Sequence, residues 1–382
     1  MPFNKVDREK VLEQIDLWNK HYPLNTKVRV DGYSEVKATR TAAMLLFNKK
    51  PVIYLEGHNG YFDLDAVSPV EPVEISESPS TEDHAPVAPS LSVDSRLCFM
   101  FPGQGSQQKG MGEELFDEFV EMTQIADDVL GYSIRDLCLN DADQLLGQTQ
   151  YTQPALFVVN AMTFHRMVRE QGARPGSVLG HSLGEYSALY AAGAFDFETG
   201  LRLVNQRGAL MAEATGGAMA AIIGMDADQV RKVLSDRRLD TIDLANINSP
   251  GQTVISGLKD DVERAQQEFE DAGARMVIPL PVSGAFHSRQ MTGPQAGFRR
   301  FLDEFTFSPP ELQVISNVEA RPYDPERIQG LLADQLTSPV RWSDSIAYLE
   351  SQGVGTFREA GPGNVLTGIL TQIRRMKGAS VR

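Results

Sequence analysis

The most restrictive feature of this 382-residue chain is a serine between two glycines, Gly180-His-Ser-Leu-Gly184. A short apolar run precedes the motif, and a helix-like segment follows it. A serine at a sharp turn between a strand and a helix is typical of a nucleophile elbow. A side chain in place of a glycine beside that turn would block the approach of a substrate. The pattern therefore predicts that Ser182 is a nucleophile.

Helical patterns alternate with short apolar runs beyond residue 96. Strands are predicted at 96–101, before the glycine-rich loop 102–107, and near 177–180, 314–316 and 355–357. This alternation is typical of a mostly parallel sheet flanked by helices, so we predict an α/β domain over residues 96–382. Between about 218 and 283 the predicted order becomes β-α-β-β-α-β, with strands at 218–223, 242–247, 253–256 and 275–279 and helices at 226–234 and 259–272. That order is typical of a ferredoxin-like subdomain inserted into the larger domain.

A proline-, serine- and acid-rich stretch separates this domain from the amino-terminal residues. Residues 71–95 lack apolar periodicity, which predicts a linker. Residues 1–70 are predicted to form a small α+β module, with a helix around Val11 to Trp18 and strands near 27–30, 52–55 and 61–64. A second helix is predicted over 36–47. Because the module has no set of catalytic side chains, we expect it to dock a partner or to stabilise the protein.

Composition excludes several classes of protein. The chain has 42% hydrophobic residues, only two cysteines and a formal net charge of −15. We therefore expect a globular protein of the reducing cytoplasm, without a disulfide framework, and no partnership with nucleic acid. The apolar runs are too short to span a bilayer, so no membrane association is expected. No metal or bound cofactor is expected either.

Ser182 requires a base, and elimination among the six histidines favours His287. His84 lies in the linker, His21 and His58 lie in the amino-terminal module, and the neighbours of His165 indicate exposure to solvent. His181 adjoins the serine and should point away from it. A structural role for a lone histidine is the alternative.

Two further features concern the binding of an acyl group. A tetrahedral oxyanion needs preorganised N–H donors, for which the backbone of Leu183 and of Gln104, in the 102–107 loop, are the candidates. A nucleotide-binding loop is disfavoured because the spacing matches neither a Gly-x-Gly-x-x-Gly motif nor a P-loop. Arg207 lies in an otherwise apolar helical segment and could hold a carboxylate by two parallel hydrogen bonds. A surface salt bridge is the alternative for Arg207.

Six motifs in this order, FPGQGSQ, GHSLGEY, QRGALM, NSPGQ, GAFHS and GPGNVL, resemble the malonyl-CoA:acyl-carrier-protein transacylases and the acyltransferases of polyketide synthases. The resemblance covers about residues 96–376 and implies an α/β-hydrolase-like core with a ferredoxin-like insertion. It implies that Ser182 is acylated, that His287 is its base and that Arg207 binds the malonyl carboxylate. Gln104 and Leu183 would form the oxyanion hole.

The resemblance also assigns residues around these groups. Gln335 would offer its backbone carbonyl to the second imidazole nitrogen of His287, in place of the acid of an ordinary triad. Asn248 corresponds to a family position near the active site. Met211, the last residue of QRGALM, is expected to contribute to substrate binding.

Selectivity for the acyl group is expected to depend on Phe286. Malonyl-selective members of the family often carry Ala-Phe-His, and this chain has Ala285-Phe286-His287. The ring would crowd an α-methyl branch, which favours malonyl over methylmalonyl. Gly284 departs from the histidine that is more usual before this run.

The implied reaction is a ping-pong transfer of malonyl from malonyl-CoA to the phosphopantetheine thiol of an acyl carrier protein. Because carrier proteins are typically acidic, they need a local basic patch on this acidic chain. The docking candidates, for which a solvated face is the alternative, are Arg289, Arg299, Arg300, Arg374, Arg375 and Lys377.

Several alternatives fit parts of the sequence. An acyl hydrolase that clears stalled thioesters would keep the fold, but it has no need for Arg207. A serine esterase would need an acid such as Asp243 or Asp260, and a non-catalytic scaffold would not need the catalytic set. A malonyl transacylase of fatty-acid biosynthesis is a further possibility. The additional amino-terminal module favours a free-standing, trans-acting acyltransferase of a modular polyketide synthase.

Overall fold

The amino-terminal part of the chain is a small α+β unit. The structure is a computed structural model, and it describes residues 5–23, 25–33, 35–39, 43–46, 50–55, 61–70, 92–282 and 284–380. Among the described residues of this unit, helix α1 (Lys5–His21) is followed by six short strands: β1 (Lys27–Val30), β2 (Lys37–Ala38), β3 (Met44–Leu46), β4 (Lys50–Tyr54), β5 (Tyr61–Asp63) and β6 (Val67–Pro69). They form two antiparallel sheets, in the orders β2-β1-β6 and β3-β4-β5. Ile15 and Trp18 of α1 pack with Val28 and Ile53 in a core of their own.

The helix predicted over 36–47 is wrong. The described residues in that range include strands β2 and β3 instead, and β2 pairs with β1. A short window of apolar residues fits either period, and pairing with other strands decides between them. Most of the predicted linker, 71–91, lies outside the described residues.

A four-stranded parallel sheet forms the centre of the larger domain. Its strands are β7 (Ser92–Phe101), β8 (Ala173–Gly180), β13 (Gln313–Ile315) and β14 (Thr356–Glu359), in the order β13-β8-β7-β14. Strand β7 begins four residues earlier than predicted, because Ser92–Asp94 pair with Ala173–Pro175. The α/β class with a parallel sheet is therefore confirmed.

Helices cover both faces of this sheet. Alternate residues of β7 contribute to different apolar clusters, Phe99 and Phe101 to one and Cys98 and Met100 to the other, as expected for a strand buried on both faces. The helices of the domain outside the insertion are α2 (Glu113–Phe116), α3 (Val120–Leu130), α4 (Ile134–Leu139), α5 (Thr149–Gln171), α6 (Gly184–Ala191), α7 (Phe197–Glu213), α10 (Thr292–Leu302), α11 (Ile328–Asp334), α12 (Trp342–Ser351) and α13 (Val365–Ser380). None of the described helices has the length and apolarity to cross a bilayer.

The chain leaves the parallel sheet after α7 to form an insertion with the predicted β-α-β-β-α-β order. Its elements are β9 (Gly217–Ile223), α8 (Ala227–Asp236), β10 (Asp243–Ser249), β11 (Gln252–Leu258), α9 (Lys259–Asp271) and β12 (Met276–Pro279). The strands form an antiparallel sheet in the order β10-β11-β9-β12. A parallel bridge between Asn246 and Val340 connects β10 to the larger domain. The insertion ends just before His287.

The turn from β8 into α6 depends on close contact between backbone segments. A Cβ atom added to Gly180 would overlap the backbone of Gly184, and one added to Gly184 would overlap the Phe101 carbonyl at the end of β7. Both positions therefore require glycine, which packs the start of α6 directly against two strand ends.

We expect Gly180→Ala to lower the free energy of unfolding by about 1–3 kcal/mol or more, because the backbone must shift to relieve the overlap. Gly368→Ala is the matched control, since a Cβ there meets nothing within 4 Å on an exposed face of α13. It should stabilise by about 0.5–1 kcal/mol. Urea unfolding of both variants measures the difference, and equal stabilities would contradict the overlap.

Candidate active site

Ser182 occupies a strained turn whose backbone is held by side chains. Its φ is 52°, in the left-handed region that non-glycine residues rarely adopt. Its N–H donates to Asn317 Oδ1 at 2.8 Å, and its carbonyl accepts from Gln335 Nε2 at 2.9 Å. This geometry is that of the predicted nucleophile elbow. Strain of this kind persists only where surrounding contacts hold it in place.

His287 lies within hydrogen-bonding distance of the serine. Its Nε2 is 2.7 Å from Ser182 Oγ, and its Nδ1 is 2.8 Å from the Gln335 carbonyl oxygen. Because that carbonyl can only accept, Nδ1 carries the proton and Nε2 is free to accept the serine proton. Burial, and secondly the charge of Arg207, lower the pKa of His287 to about 3. The ring is therefore a neutral base at physiological pH.

The position that an acid occupies in a serine triad is taken by the Gln335 carbonyl. Neither acid of the esterase alternative bonds to His287 in the described structure. Asp243 pairs with Arg289, and Asp260 lies exposed in the first turn of α9. The Gln335 carbonyl thus makes the contact that the resemblance implied, and its role in the reaction stays a prediction.

Arg207 is buried beside Ser182, which overturns the surface salt bridge considered for it. The residue is 1% exposed. Its guanidinium donates to neutral oxygens: Gln153 Oε1 at 2.7 Å, Gln335 Oε1 at 2.8 Å and Ser182 Oγ at 3.1 Å. Burial lowers the pKa of Arg207, although Tyr186 and Glu185 oppose that effect. A buried guanidinium with neutral partners favours the binding of an anion at this place.

The predicted oxyanion donors lie beside the serine. Leu183 is the N-cap of α6, where the helix dipole favours negative charge. A Cβ added to Gly103 would overlap the His181 carbonyl and would lie 3.6 Å from Leu183 N, so the loop that carries Gln104 abuts the elbow. Leu183 and Gln104 both line the cavity above Ser182.

That cavity has a volume of about 80 Å³, which suits an acyl group rather than a whole coenzyme. Phe286 and Met211, two of the predicted substrate-binding residues, line it with Arg207 and His287. Asn248 does not line it but contacts it through His181, a lining residue whose Nε2 is 2.9 Å from Asn248 Oδ1. Asn246, two residues earlier on β10, lines the cavity instead. Irregular register along β10 separates the two asparagines in a way that motif spacing does not reveal.

A larger groove of about 510 Å³ adjoins this cavity. Gln104 and Val282 line both spaces. Thr149 and Gln150, at the start of α5, line the groove but not the small cavity. Gln104 Nε2 donates to Thr149 Oγ1 at 3.2 Å, which connects the 102–107 loop to α5. The two spaces together could accept a small acyl group with a longer, flexible arm.

Four polar residues of the site were missed in the sequence analysis: Gln153, Glu185, Asn317 and Tyr323. Glu185 is fully buried, and burial raises its pKa to about 7. An acidic residue in a first helical turn is ordinarily explained by the helix dipole, so the place of Glu185 within GHSLGEY does not by itself indicate a buried residue of the site. Asn317 directly follows a predicted parallel strand, a position that often contributes to binding sites. Gln153 and Tyr323 carried no such signal.

Two expectations about polar side chains were also wrong or incomplete. His165 is half-buried rather than exposed, since its Nε2 lies 2.6 Å from Tyr190 Oη and its ring packs among aromatic rings. Four basic docking candidates form ion pairs with acidic neighbours, which reduces their local positive charge: Arg289 with Asp243, Arg299 with Asp334, and Arg374 and Lys377 with Glu350.

We expect the reactivity of Ser182 towards a fluorophosphonate probe to stay constant between pH 5 and pH 4, a range below the pKa of about 7 of Glu185 in which that carboxyl no longer changes its charge. A depressed pKa means that His287 keeps its neutral form as the pH falls, until the pH approaches about 3. A histidine with the usual pKa of about 6.5 would lose about tenfold in rate over the same range. Labelling rates measured by mass spectrometry, with Ser182→Ala as the blank, test this, and a tenfold fall would contradict it.

Comparison with known proteins gives a consistent family. A profile of the acyl transferase domain matches residues 98–381. The chain is 52% identical over 280 residues to the polyketide biosynthesis malonyl CoA-acyl carrier protein transacylase PksC of Bacillus subtilis, which covers 73% of this chain and 97% of that protein. It is 40% identical over 297 residues to the malonyl CoA-acyl carrier protein transacylase of the same organism, covering 75% and 93%.

Solved structures are similar over the same part of the chain. The malonyl CoA-acyl carrier protein transacylase of Burkholderia pseudomallei has a TM-score of 0.71 at 48% identity, covering 74% of this chain and 99% of that one. A malonyl-transacylase solved in complex with a type II polyketide synthase acyl carrier protein has a TM-score of 0.70 at 38% identity, covering 74% and 94%. The matched interval contains the serine, the histidine and the buried arginine. The resemblance inferred from the motifs is confirmed, and the chain belongs to the acyl transferase domain family.

Proposed function

We propose that this protein transfers a malonyl group from malonyl-CoA to the phosphopantetheine thiol of an acyl carrier protein. The observation that carries the proposal is the buried Arg207 guanidinium, which donates to Ser182 Oγ and to neutral amides. A malonyl carboxylate would supply the missing negative charge within reach of the serine. Relatives of the family with this substrate in their names support the assignment.

In the first half-reaction, Ser182 Oγ attacks the thioester carbon while His287 Nε2 takes the serine proton. The oxyanion that forms is stabilised by the N–H groups of Leu183 and Gln104. The intermediate then expels the CoA sulfur, which receives the proton from His287. The Gln335 carbonyl keeps Nδ1 protonated throughout, so the same nitrogen accepts and returns the proton.

In the second half-reaction, the carrier thiol gives its proton to His287 and attacks the seryl ester, and Ser182 regains its proton as the ester breaks. This ping-pong sequence requires that the thiol reacts before water does. The small cavity and the pairing of the malonyl charge with Arg207 favour that outcome. A hydrolase for stalled thioesters is disfavoured, since it has no use for a buried cation beside its nucleophile.

Selectivity for malonyl follows from the packing of Phe286. A Cβ added to Gly284 would lie 2.5 Å from Phe286 Cε1 and 2.9 Å from the Ala214 carbonyl oxygen. The glycine that departs from the family pattern therefore gives room for the ring in its position on the cavity wall. An α-methyl branch on the substrate would compete with the ring for a space of about 80 Å³.

The wider context of the enzyme is also part of the proposal. We assign the groove beside Gln104 to the phosphopantetheine arm of CoA or of the carrier. Similarity to transacylases of polyketide biosynthesis favours a free-standing enzyme that supplies malonyl groups in trans to a polyketide synthase. We also propose that the enzyme serves several carrier proteins of such a synthase. The absence of nucleic-acid binding and a cytoplasmic location stay predictions.

The domain assignments are likewise proposals. We describe residues 96–382 as an α/β-hydrolase-like core with a ferredoxin-like insertion at about 218–283, which the parallel sheet and the β10-β11-β9-β12 order support. Residues 1–70 are assigned to docking or stabilisation, and 71–95 to a linker. The family match begins at residue 98, so similarity does not inform the role of the preceding residues.

We expect Arg207→Ala to lower the rate of self-acylation by malonyl-CoA by about 10²-fold, because hydrogen bonds to a charged group are lost. Acylation by acetyl-CoA, which has no carboxylate, should fall far less. Intact-mass measurement with malonyl-, methylmalonyl- and acetyl-CoA tests this. Arg202→Ala, on the exposed face of the same helix, is the control and should behave like the unmodified protein.

The same assay tests transfer. The wild-type adduct should move to a phosphopantetheinylated carrier protein, and Ser182→Ala should form no adduct. Release as free malonate, with or without the carrier, would favour the hydrolase instead. An adduct that prefers acetyl and ignores Arg207 would contradict the proposed substrate.

We expect Arg300→Glu to raise the KM for the carrier protein several-fold and to leave self-acylation unchanged. Arg300 is exposed on α10 and has no ion pair among the described residues, whereas Arg299 beside it pairs with Asp334 at 2.7 Å. Surface charges of this kind affect association more than chemistry. Arg238→Glu, in the turn after α8, is the control, and equal KM values for both variants would remove α10 from the docking surface.

A further inference from the structure

Glu185 is a buried carboxylate that the mechanism above does not use. It lies in the first turn of α6, three residues after Ser182, and is fully buried. Its Oε1 accepts from the Asn317 N–H and from Tyr323 Oη, both at 2.8 Å, and its Oε2 accepts from Gln335 Nε2. A buried carboxylate is costly unless donors surround it, and here each contact comes from a different part of the chain.

The carboxylate determines which way the Gln335 side chain points. The three hydrogen-bond partners of Glu185 all donate, which favours the ionised form that can only accept, and the NH₂ end of the Gln335 amide accordingly faces Glu185. The amide oxygen must then face the opposite way, where it accepts from Arg207 Nη2 at 2.8 Å. The same NH₂ group donates to the Ser182 carbonyl at 2.9 Å. Both ends of the amide therefore contact groups of the active site.

Asn317 gives Glu185 a second connection to the serine. Its side chain accepts from the Ser182 N–H at 2.8 Å and donates to the Gly180 carbonyl at 2.7 Å. The two backbone groups of Ser182 are thus held by two side-chain amides, and both of those residues bond to Glu185. Ser182 needs this support because its φ of 52° is strained.

We propose that Glu185 is a positioning residue for acyl transfer, which orients the Gln335 amide and thereby holds the strained Ser182 and the Arg207 guanidinium in their reactive places. This inference rests on the proposed transfer through Ser182. Glu185 does not contact the substrate, and it transfers no proton. Its effect reaches the reacting atoms through the side chains of Gln335 and Asn317.

The replacement Glu185→Gln tests the role with little change of shape. The new NH₂ group would face the NH₂ group of Gln335, so the Gln335 amide must turn. The turned amide would lose its bond to the Ser182 carbonyl and would present a donor to Arg207. We expect the maximal rate of self-acylation, and labelling by a fluorophosphonate, to fall by about 10²-fold each, the loss that a displacement of about 1 Å can cause.

A double-mutant cycle separates positioning from a general loss of stability. Gln335→Leu removes the amide but keeps the backbone carbonyl that binds His287. If Glu185 acts through the amide, the double variant should be within about tenfold of the slower single variant, because residues of one network are not additive. A double variant whose loss equals the product of the two single losses would overturn the proposal.

Matched controls keep the outcomes distinct. Glu118 is another buried glutamate, paired with Arg166 at 2.8 Å and with Arg169, and Glu118→Gln should lower Tm without changing the acylation rate. If Glu185→Gln does not fold, Glu185→Asp keeps the charge and withdraws it from Gln335, and it should also be slow. Full activity of either Glu185 variant would overturn the positioning role. An adduct in Ser182→Ala would instead refute the proposed function itself.

Discussion

The active site depends on the close approach of three backbone segments at the carboxyl edge of the parallel sheet. Strand β8 ends against the start of α6, and α6 starts against the end of β7, so that neither Gly180 nor Gly184 has room for a Cβ atom. This contact turns the chain sharply at Ser182 and gives it a left-handed backbone. It also places the N-terminus of α6 and the 102–107 loop on the same side of the serine. The predicted oxyanion donors and the predicted nucleophile are therefore brought together by a single packing arrangement.

Charge is organised around that turn in an unusual way for a serine enzyme. The imidazole of His287 is oriented by a carbonyl, and the buried carboxylate lies on the other side of the network, against Gln335. Arg207 has neutral partners and is separated from Glu185 by the Gln335 amide. One glutamine thus orients the base with its backbone and connects cation to carboxylate with its side chain. Because Glu185 contacts Gln335 rather than the guanidinium, Arg207 remains available to the malonyl carboxylate that we propose for it.

Much of the fold follows from local patterns in the sequence. All six elements of the insertion occur within about two residues of their predicted ends, because strand and helix periods differ clearly there. The helix predicted over 36–47 failed because short strands take their stability from partners that lie elsewhere in the chain. The expectation of exposure at His165 relied on its two arginine neighbours, yet both arginines pair with the buried Glu118 instead of marking a solvated face. The assignment of Asn248 to substrate binding stays a prediction, and the irregular strand pairing that places Asn246 on the cavity wall could not be read from the motif.

The sequence alone determined the elbow, the pairing of Ser182 with His287 and the family. These depend on glycine spacing, on a small number of histidines and on motifs whose order is preserved along the chain. Only the tertiary structure decided that Arg207 is buried with neutral partners, that most docking candidates are ion-paired and that Glu185 supports the site. The physical reason is that burial and hydrogen-bond partners depend on segments far apart in sequence, such as residues 185, 317 and 335. No local pattern contains that information.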